Sequence, residues 1–248
     1  MLIVRFCFKA CCYLLVLLLA GLWLKPHASF THNVVDTIPW QTDPVLLKTV
    51  SSKSNIQKLE HGQFALDYVT TLNGISPRQL IWFIQNQAQY TATVNNTDWQ
   101  WFQLSHPSAH SALTVIDSPD TKSDRLVPGT TFEELELLEQ TQWRMQLRVK
   151  SFGEQGMTFD VLHAGYRVGQ LNYVFYPVGT GTKVTFNAEL GLSIPLIGEI
   201  SNFYLFKKVM PEHLLEAWLL HNLETYQHME KLIPILYQQR SHERFLIS

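Results

Sequence analysis

Residues 211–237 have the sequence PEHLLEAWLLHNLETYQHMEKLIPILY, and they predict one long amphipathic helix. Pro211 is suited to the first turn of a helix, and Pro234 lies near the predicted end. Apolar residues recur every three or four positions, which is the period of one helical face. This stripe consists of Leu215, Leu219, Leu223, Tyr226, Met229 and Ile233. A helix with such a stripe must bury it against another layer of the protein.

Upstream of this helix the apolar period shortens to about two residues, which is typical of strands. Strands are predicted over 64–71, 99–104, 112–116, 132–138, 142–152, 157–163, 169–176 and 183–192. Ser76 and Pro77 predict the start of a short helix over 78–85, while 196–209 fits either a flap or a short helix. The sequence therefore predicts an α+β fold, in which a curved antiparallel sheet wraps around the long C-terminal helix.

The composition excludes several classes of protein. The 248 residues are 46% hydrophobic, 16% charged and 12% aromatic, whereas a disordered chain carries more charge and fewer aromatic residues. Nineteen basic residues face 21 acidic ones, so we expect no nucleic acid partner. All three cysteines, Cys7, Cys11 and Cys12, precede residue 13. No disulfide is therefore expected in the rest of the chain.

The N-terminal segment predicts a membrane partner. Arg5 and Lys9 precede an uncharged, mostly apolar run over 10–24, which indicates a signal peptide or a signal anchor over residues 1–29. Residues 30–60 are polar and predict a tether or an arm, and residues 61–248 predict one domain. Because the early basic residues favour a cytoplasmic N-terminus, we expect the domain on the non-cytoplasmic side, periplasmic or extracellular, whether or not the segment is cleaved.

The order of these elements resembles the helix-grip fold of the SRPBCC or START superfamily. The resemblance covers roughly residues 62–238, and the segment GTKVTFNAELG over 181–191 is similar to a late strand of that superfamily. It implies an elongated apolar cavity between the sheet and the C-terminal helix, which would take a hydrophobic small molecule or lipid.

Three patches are similar to one branch of that superfamily, the diacetylphloroglucinol hydrolases. They are WFQLSHPSAH over 101–110, GTTFEELE over 129–136 and the helix from His221 to Tyr237. Members of that branch use zinc to hydrolyse a carbon–carbon bond in an acylated phenol. Zinc is thus the one cofactor that the resemblance implies.

The resemblance carries metal ligands onto particular positions of this chain. The helical histidine matches His221, and the strand glutamate matches Glu136, although Glu134 shares its face. The first histidine matches either His106 or His110. The pattern departs from the branch four residues after His221, where Thr225 replaces a glutamate ligand, and Glu224 is the nearest replacement. Three nitrogen or oxygen ligands and an open position suffice for zinc hydrolysis.

Each candidate also has an ordinary structural interpretation. His221, Thr225 and His228 would form a polar row along the helix, His228 lying on a surface turn. His106 and His110 would be loop residues without a special role, and Glu134 and Glu136 would belong to a solvated strand face. Candidate cavity residues are Trp101, Trp143, Tyr173, Phe175, Trp218, Thr225 and His228.

Two functional hypotheses follow from the sequence, and the residues alone leave open whether the protein is an enzyme. The first is an exported or membrane-anchored helix-grip domain that binds a hydrophobic small molecule or lipid without catalysis. The alternative is a zinc-dependent hydrolase of a small acylated aromatic or ketone, with His106 or His110, Glu136 and His221 as ligands. A purely structural role in the envelope is neither supported nor excluded.

Overall fold

The computed structural model describes residues 54–242 and 245–247. The predicted signal peptide or anchor over 1–29 lies outside this part of the chain, and so does the predicted tether or arm, except for its last residues. Those last residues form a strand, Ser54–Lys58, and begin a 3-10 turn, Glu60–Gly62. Within the described ranges, no helix combines the length and the apolar character needed to cross a membrane.

Eleven strands and four α-helices make up the described part of the chain. The strands are β1 (Ser54–Lys58), β2 (Phe64–Leu72), β3 (Thr91–Val94), β4 (Thr97–Gln100), β5 (His110–Asp117), β6 (Thr131–Leu138), β7 (Thr141–Gly153), β8 (Gly156–His163), β9 (Tyr166–Val178), β10 (Gly181–Leu190) and β11 (Leu246–Ile247). The helices are α1 (Pro77–Asn86), α2 (Trp101–Ser105), α3 (Ile197–Tyr204) and α4 (Glu212–Gln238). A π-helical turn, Leu205–Val209, follows α3.

Eight strands form one antiparallel sheet in the order β1-β2-β10-β9-β8-β7-β6-β5. Strands β5 to β10 follow one another as a meander, and β2 joins the end of the meander by pairing with β10. Strand β5 therefore occupies one edge of the sheet. A smaller sheet contains β11, β3 and β4. The predicted α+β architecture with an antiparallel sheet and a long C-terminal helix is confirmed.

The predicted amphipathic helix is α4, whose apolar stripe is buried along its whole length. Its residues join one hydrophobic core with the inward side chains of the sheet. Trp143 on β7 and Trp218 on α4 stack with ring centroids 6.3 Å apart. The predicted start of α1 is also confirmed, because Ser76 Oγ accepts a hydrogen bond from the backbone of Gln79, and Pro77 follows as the first helical residue.

The predicted strand over 99–104 is wrong. Strand β4 ends at Gln100, and α2 takes up Trp101–Ser105. Four of the five residues of α2 are buried, so this segment has no solvated face and an alternating strand pattern does not apply. Gln100 fixes the break, because its side-chain amide donates to the backbone carbonyls of Ala88 and Leu113.

Candidate metal centre

Strand pairing places the first two candidate residues opposite each other. His110 is the first residue of β5, and Glu136 is its direct partner on β6. Partners on adjacent antiparallel strands have their Cβ atoms about 5 Å apart and on the same face of the sheet. His110 Nε2 consequently lies 3.4 Å from Glu136 Oε1.

Helix α4 brings the third candidate to the same place. His221 Nε2 lies 2.9 Å from His110 Nε2 and 3.5 Å from Glu136 Oε1. All three side chains are buried, with 4–6% of each residue exposed. The helical His and the strand Glu thus meet the histidine from the 101–110 patch, as the resemblance implies.

His106 joins the cluster from the end of α2. One ring nitrogen of each of His106, His110 and His221 lies within 4.8 Å of the others. His106 Nε2 also lies 3.2 Å from Glu224 Oε2, and its Nδ1 is 3.5 Å from Thr225 Oγ1. The sequence left His106 and His110 as alternatives, and the structure brings both into one cluster.

The distances within the cluster fit a small cation. Three edges of 2.9, 3.4 and 3.5 Å join the His110, His221 and Glu136 atoms, and a circle through those atoms has a radius of about 1.9 Å. A point just off their plane therefore lies about 2.0–2.1 Å from each atom, which is the length of zinc bonds to nitrogen and oxygen.

A backbone carbonyl and a serine hydroxyl fix the orientation of the His110 side chain. Its Nδ1 lies 2.7 Å from the carbonyl oxygen of Phe102 and 2.9 Å from Ser105 Oγ. A carbonyl oxygen only accepts hydrogen bonds, so Nδ1 carries the hydrogen and donates it. The Phe102 ring stacks on the imidazole, with centroids 4.0 Å apart. Neutral His110 therefore presents the lone pair of Nε2 to His221 and Glu136.

The cluster is short of hydrogen-bond donors. His110 Nε2 and both oxygens of ionised Glu136 are acceptors, and His221 Nε2 can donate to one of them. Glu136 Oε2 is buried and has no hydrogen-bond partner among the described residues. A buried acceptor that lacks a donor is costly. The donor set of two imidazoles and one carboxylate thus fits a divalent cation such as zinc.

Burial and neighbouring charges shift the acid–base properties of these groups. Burial first, and then the nearby His221, hold the pKa of His110 well below its ordinary value, which leaves the imidazole neutral. Burial alone would raise the pKa of Glu136, but His221 and His110 outweigh it and lower that pKa. Burial raises the pKa of Glu224. A neutral imidazole and an ionised carboxylate are the forms that ligate metals.

Several ordinary interpretations of these residues are wrong. Glu136 is 4% exposed, so it does not belong to a solvated strand face, while Glu134 on the same strand is half-buried. His228 is 1% exposed and lies inside the domain, where its Nδ1 donates to the carbonyl oxygen of Ser105 at 3.2 Å. His106 lies in the connection between α2 and β5, as predicted, and His110 begins β5; both are buried.

Most candidate cavity residues lie in the packed core between the sheet and α4. Trp143, Tyr173, Phe175 and Trp218 are all buried members of the core. Thr225 and His228 lie beside the histidine cluster, where His106 contacts both. Trp101 belongs to the same core and contacts another group of aromatic rings, Phe83, Trp82, Tyr90 and Phe245.

Sequence reasoning missed the residues that support the ligands. Ser105 and Phe102 lie within the quoted 101–110 patch, but a predicted strand hid their proximity to His110.

Sequence reasoning also missed a buried pair of tyrosines. Tyr68 on β2 and Tyr226 on α4 are buried with ring centroids 6.3 Å apart. Burial raises the pKa of each phenol, so both remain neutral and polar in the interior between the sheet and α4. Alternation along β2 was the signal that could have singled out Tyr68.

No protein family model matches this chain, and no curated protein matches it either. Among solved structures, Ara h 8.0201 is similar at 9% identity over 70% of this chain and 99% of that chain, with a TM-score of 0.46. The KanY protein has 14% identity over 70% and 99% of the two chains and a TM-score of 0.44. The major latex-like protein 151 of Panax ginseng has 10% identity over 68% and 96%, with a TM-score of 0.43. All these scores are low, so the fold assignment rests on the strand order and helix of the chain itself.

Proposed function

We propose that this protein holds a zinc ion at His110, His221 and Glu136 and uses the site to hydrolyse a small acylated aromatic compound or a related ketone. One observation carries the proposal. Three donor atoms from β5, β6 and α4 converge to within 3.5 Å of one another in a buried site. Structural packing alone does not require two imidazoles and a carboxylate to face one point.

The side chains divide the work in this proposal. His110, His221 and Glu136 would hold the ion, while His106, with a ring nitrogen within 4.8 Å of those of the other two histidines, stays outside the ligand set. When bound, zinc would polarise a substrate carbonyl and lower the pKa of a water molecule. Ser105 and the Phe102 carbonyl keep the His110 lone pair aimed at the site.

In this proposal, His106 and Glu224 beside the metal ligands transfer the proton. Breaking a carbon–carbon bond leaves a carbanion, which must receive a proton from a nearby acid. His106 Nε2 and Glu224 Oε2 lie 3.2 Å apart, and the side chain of Glu224 is 22% exposed. This pair can hold a proton between the two atoms and is connected to solvent, which suits it to protonate the leaving group.

The aromatic residues between the sheet and α4 support the proposed class of substrate, a small aromatic compound. Tyr173, Phe186 and Trp218 pack against one another between the sheet and α4. Aromatic side chains favour contact with a flat apolar molecule. We therefore assign hydrophobic small-molecule binding to this interior.

Metal analysis of the purified full-length protein tests the proposal. The expected result is about one zinc ion per chain, with loss of zinc in the variants His110→Ala, His221→Ala and Glu136→Gln. The matched control is His213→Ala, because His213 is an exposed histidine on the same helix as His221. If the parent protein binds no zinc, or if the His213→Ala variant loses it too, the proposal is wrong.

Ligand binding without catalysis is a second candidate function. Two observations favour it: His110 and His221 hydrogen-bond to each other directly, and Thr225 occupies the position where the resemblance expects a further glutamate ligand. Organic extraction of the purified protein would then release an apolar molecule, while metal analysis finds no zinc. Hydrolysis of an acylated phenol by the zinc-loaded protein would contradict this candidate.

The location of the domain belongs to the proposal as well. Arg5 and Lys9 ahead of an apolar run support a membrane-anchored or exported protein with its domain on the non-cytoplasmic side. Protease added to intact cells or spheroplasts should digest the domain in that case. Protection from the protease until the membrane is lysed would contradict this placement.

A further inference from the structure

Helix α3 and the residues before it carry an exposed apolar face. Between 51% and 76% of each of five apolar residues is accessible to solvent. They are Ile194, Leu196, Ile197, Ile200 and Phe203, and we call them the α3 patch. Their combined exposed area is on the order of 500 Å², a size at which a patch on a monomer is often functional.

The opposite face of α3 is polar and is fixed to the domain. Asn202 is 1% exposed, and its side-chain amide donates to the carbonyl oxygens of His61 and Leu192 while accepting from the Leu192 amide. Gly198 packs so closely that a Cβ there would overlap the Leu192 carbonyl oxygen. The helix therefore buries an amide and a glycine and turns its apolar residues outward, which reverses the usual arrangement.

The backbone of Leu196 is strained, so local geometry does not favour the exposed position of its side chain. Its φ is +63°, in the left-handed region that glycine adopts readily and leucine rarely does. The side chain in this strained position is 76% exposed. A large apolar side chain held there has little of its surface covered by the rest of the described domain.

Positive charge borders the α3 patch. Lys207 and Lys208 follow α3 on the π-helical turn and are exposed, and Lys207 Nζ lies 5.0 Å from the centre of the Phe203 ring. The acidic residue within α3, Glu199, pairs with His61 at 3.2 Å. An apolar surface with lysines at its edge matches a bilayer that has acyl chains below and anionic headgroups above.

From these observations we infer that the α3 patch docks on the surface of a lipid bilayer that contains anionic lipids. A second copy of the chain fits less well, since a stable protein interface buries about 800 Å² per partner, more than this patch offers. This inference is independent of the metal centre.

A fluorescent probe in the full-length protein tests the docking. Cys7, Cys11 and Cys12 are changed to serine, and a single cysteine is introduced by Ile200→Cys or, as a control, by Val178→Cys and labelled with an environment-sensitive dye. Val178 is 49% exposed and pairs with Gly181, at the end of β10 that lies about 30 Å from α3. Both proteins are reconstituted into vesicles of phosphatidylcholine and phosphatidylglycerol.

Brominated acyl chains should quench the dye at residue 200 at least about twofold more than the dye at residue 178. Equal quenching at the two positions would overturn the inference. So would a dye at residue 200 that is shielded from water yet not quenched by brominated lipid, because a protein surface would then cover the patch.

Charge reversal provides a second, independent measurement. In the double variant Lys207→Glu and Lys208→Glu, quenching at residue 200 should fall in vesicles that contain phosphatidylglycerol. In vesicles of phosphatidylcholine alone the double variant should match the parent, because no anionic headgroup is present. Unchanged quenching in the anionic vesicles would show that the lysines do not contribute and would overturn the anionic-lipid part of the inference.

Discussion

The histidine cluster and helix α3 both reverse the usual distribution of polar and apolar groups, in opposite directions. The cluster places His106, His110, His221 and Glu136 in the interior, whereas α3 places isoleucine, leucine and phenylalanine in solvent. In the cluster, polar groups contact one another around the point where we propose that a cation binds. On α3, apolar groups contact nothing else in the described residues that would bury them. We propose a different partner for each region: an ion for the first and a lipid bilayer for the second.

The largest expected effect concerns the ion. Zinc added to metal-stripped full-length protein in detergent should raise the free energy of unfolding by about 4 kcal/mol when free zinc exceeds the dissociation constant about 1,000-fold. Tryptophan fluorescence during chemical unfolding measures this directly. The His110→Ala variant should lose the effect, and His213→Ala should keep it. If zinc leaves the free energy of unfolding of the parent protein unchanged, the histidine cluster binds no stabilising ion and does not differ from α3 in this respect.

The next effect concerns the polar attachment of α3. The variant Asn202→Ala leaves the amide and carbonyl of Leu192 and the carbonyl of His61 without their partner. We expect a loss of roughly 2 kcal/mol, since each buried group left unsatisfied is costly. Hydrogen exchange should increase in α3 while zinc binding stays at the parental level. A loss of zinc in this variant would show that the two regions are coupled.

A smaller effect is expected from the support of His110. Ser105→Ala removes a hydroxyl 2.9 Å from His110 Nδ1 but leaves the Phe102 carbonyl in place. We expect zinc affinity to fall by about tenfold, at the lower end of the range for such supporting residues. Competition with a chromophoric chelator measures the affinity, and Ser118→Ala is a control at a half-buried serine outside the cluster. Unchanged affinity would mean that the Phe102 carbonyl alone orients the imidazole.

The smallest expected effect is that of a substitution in the α3 patch. Ile200→Ser alters an isoleucine that is 67% exposed, so the free energy of unfolding in detergent should change by less than about 0.5 kcal/mol. A matched isoleucine in the core, Ile233, is fully buried, and Ile233→Ser should cost several times more. A large loss of stability from Ile200→Ser would mean that the α3 patch packs within the protein.

Periodicity along the chain predicted the sheet and α4, because each of these elements buries one face and leaves a regular pattern. It failed at Trp101–Ser105, where nearly every residue is buried and no alternation survives. The resemblance placed Glu136 and His221 together, but a single sequence does not specify the β5–β6 register that sets His110 opposite Glu136. The outward face of α3 was equally hidden, since an apolar period does not reveal which side of a helix faces solvent.

The position of His110 on the edge strand β5 has a consequence for a domain without cysteines. His110 and His221 lie 111 residues apart in the chain, and one ion bound to both closes that loop as a covalent cross-link would. Cross-linking a loop of about 100 residues lowers the entropy of the unfolded chain by an amount worth about 4–5 kcal/mol. The ion would thus serve as a removable cross-link between an edge strand and the C-terminal helix.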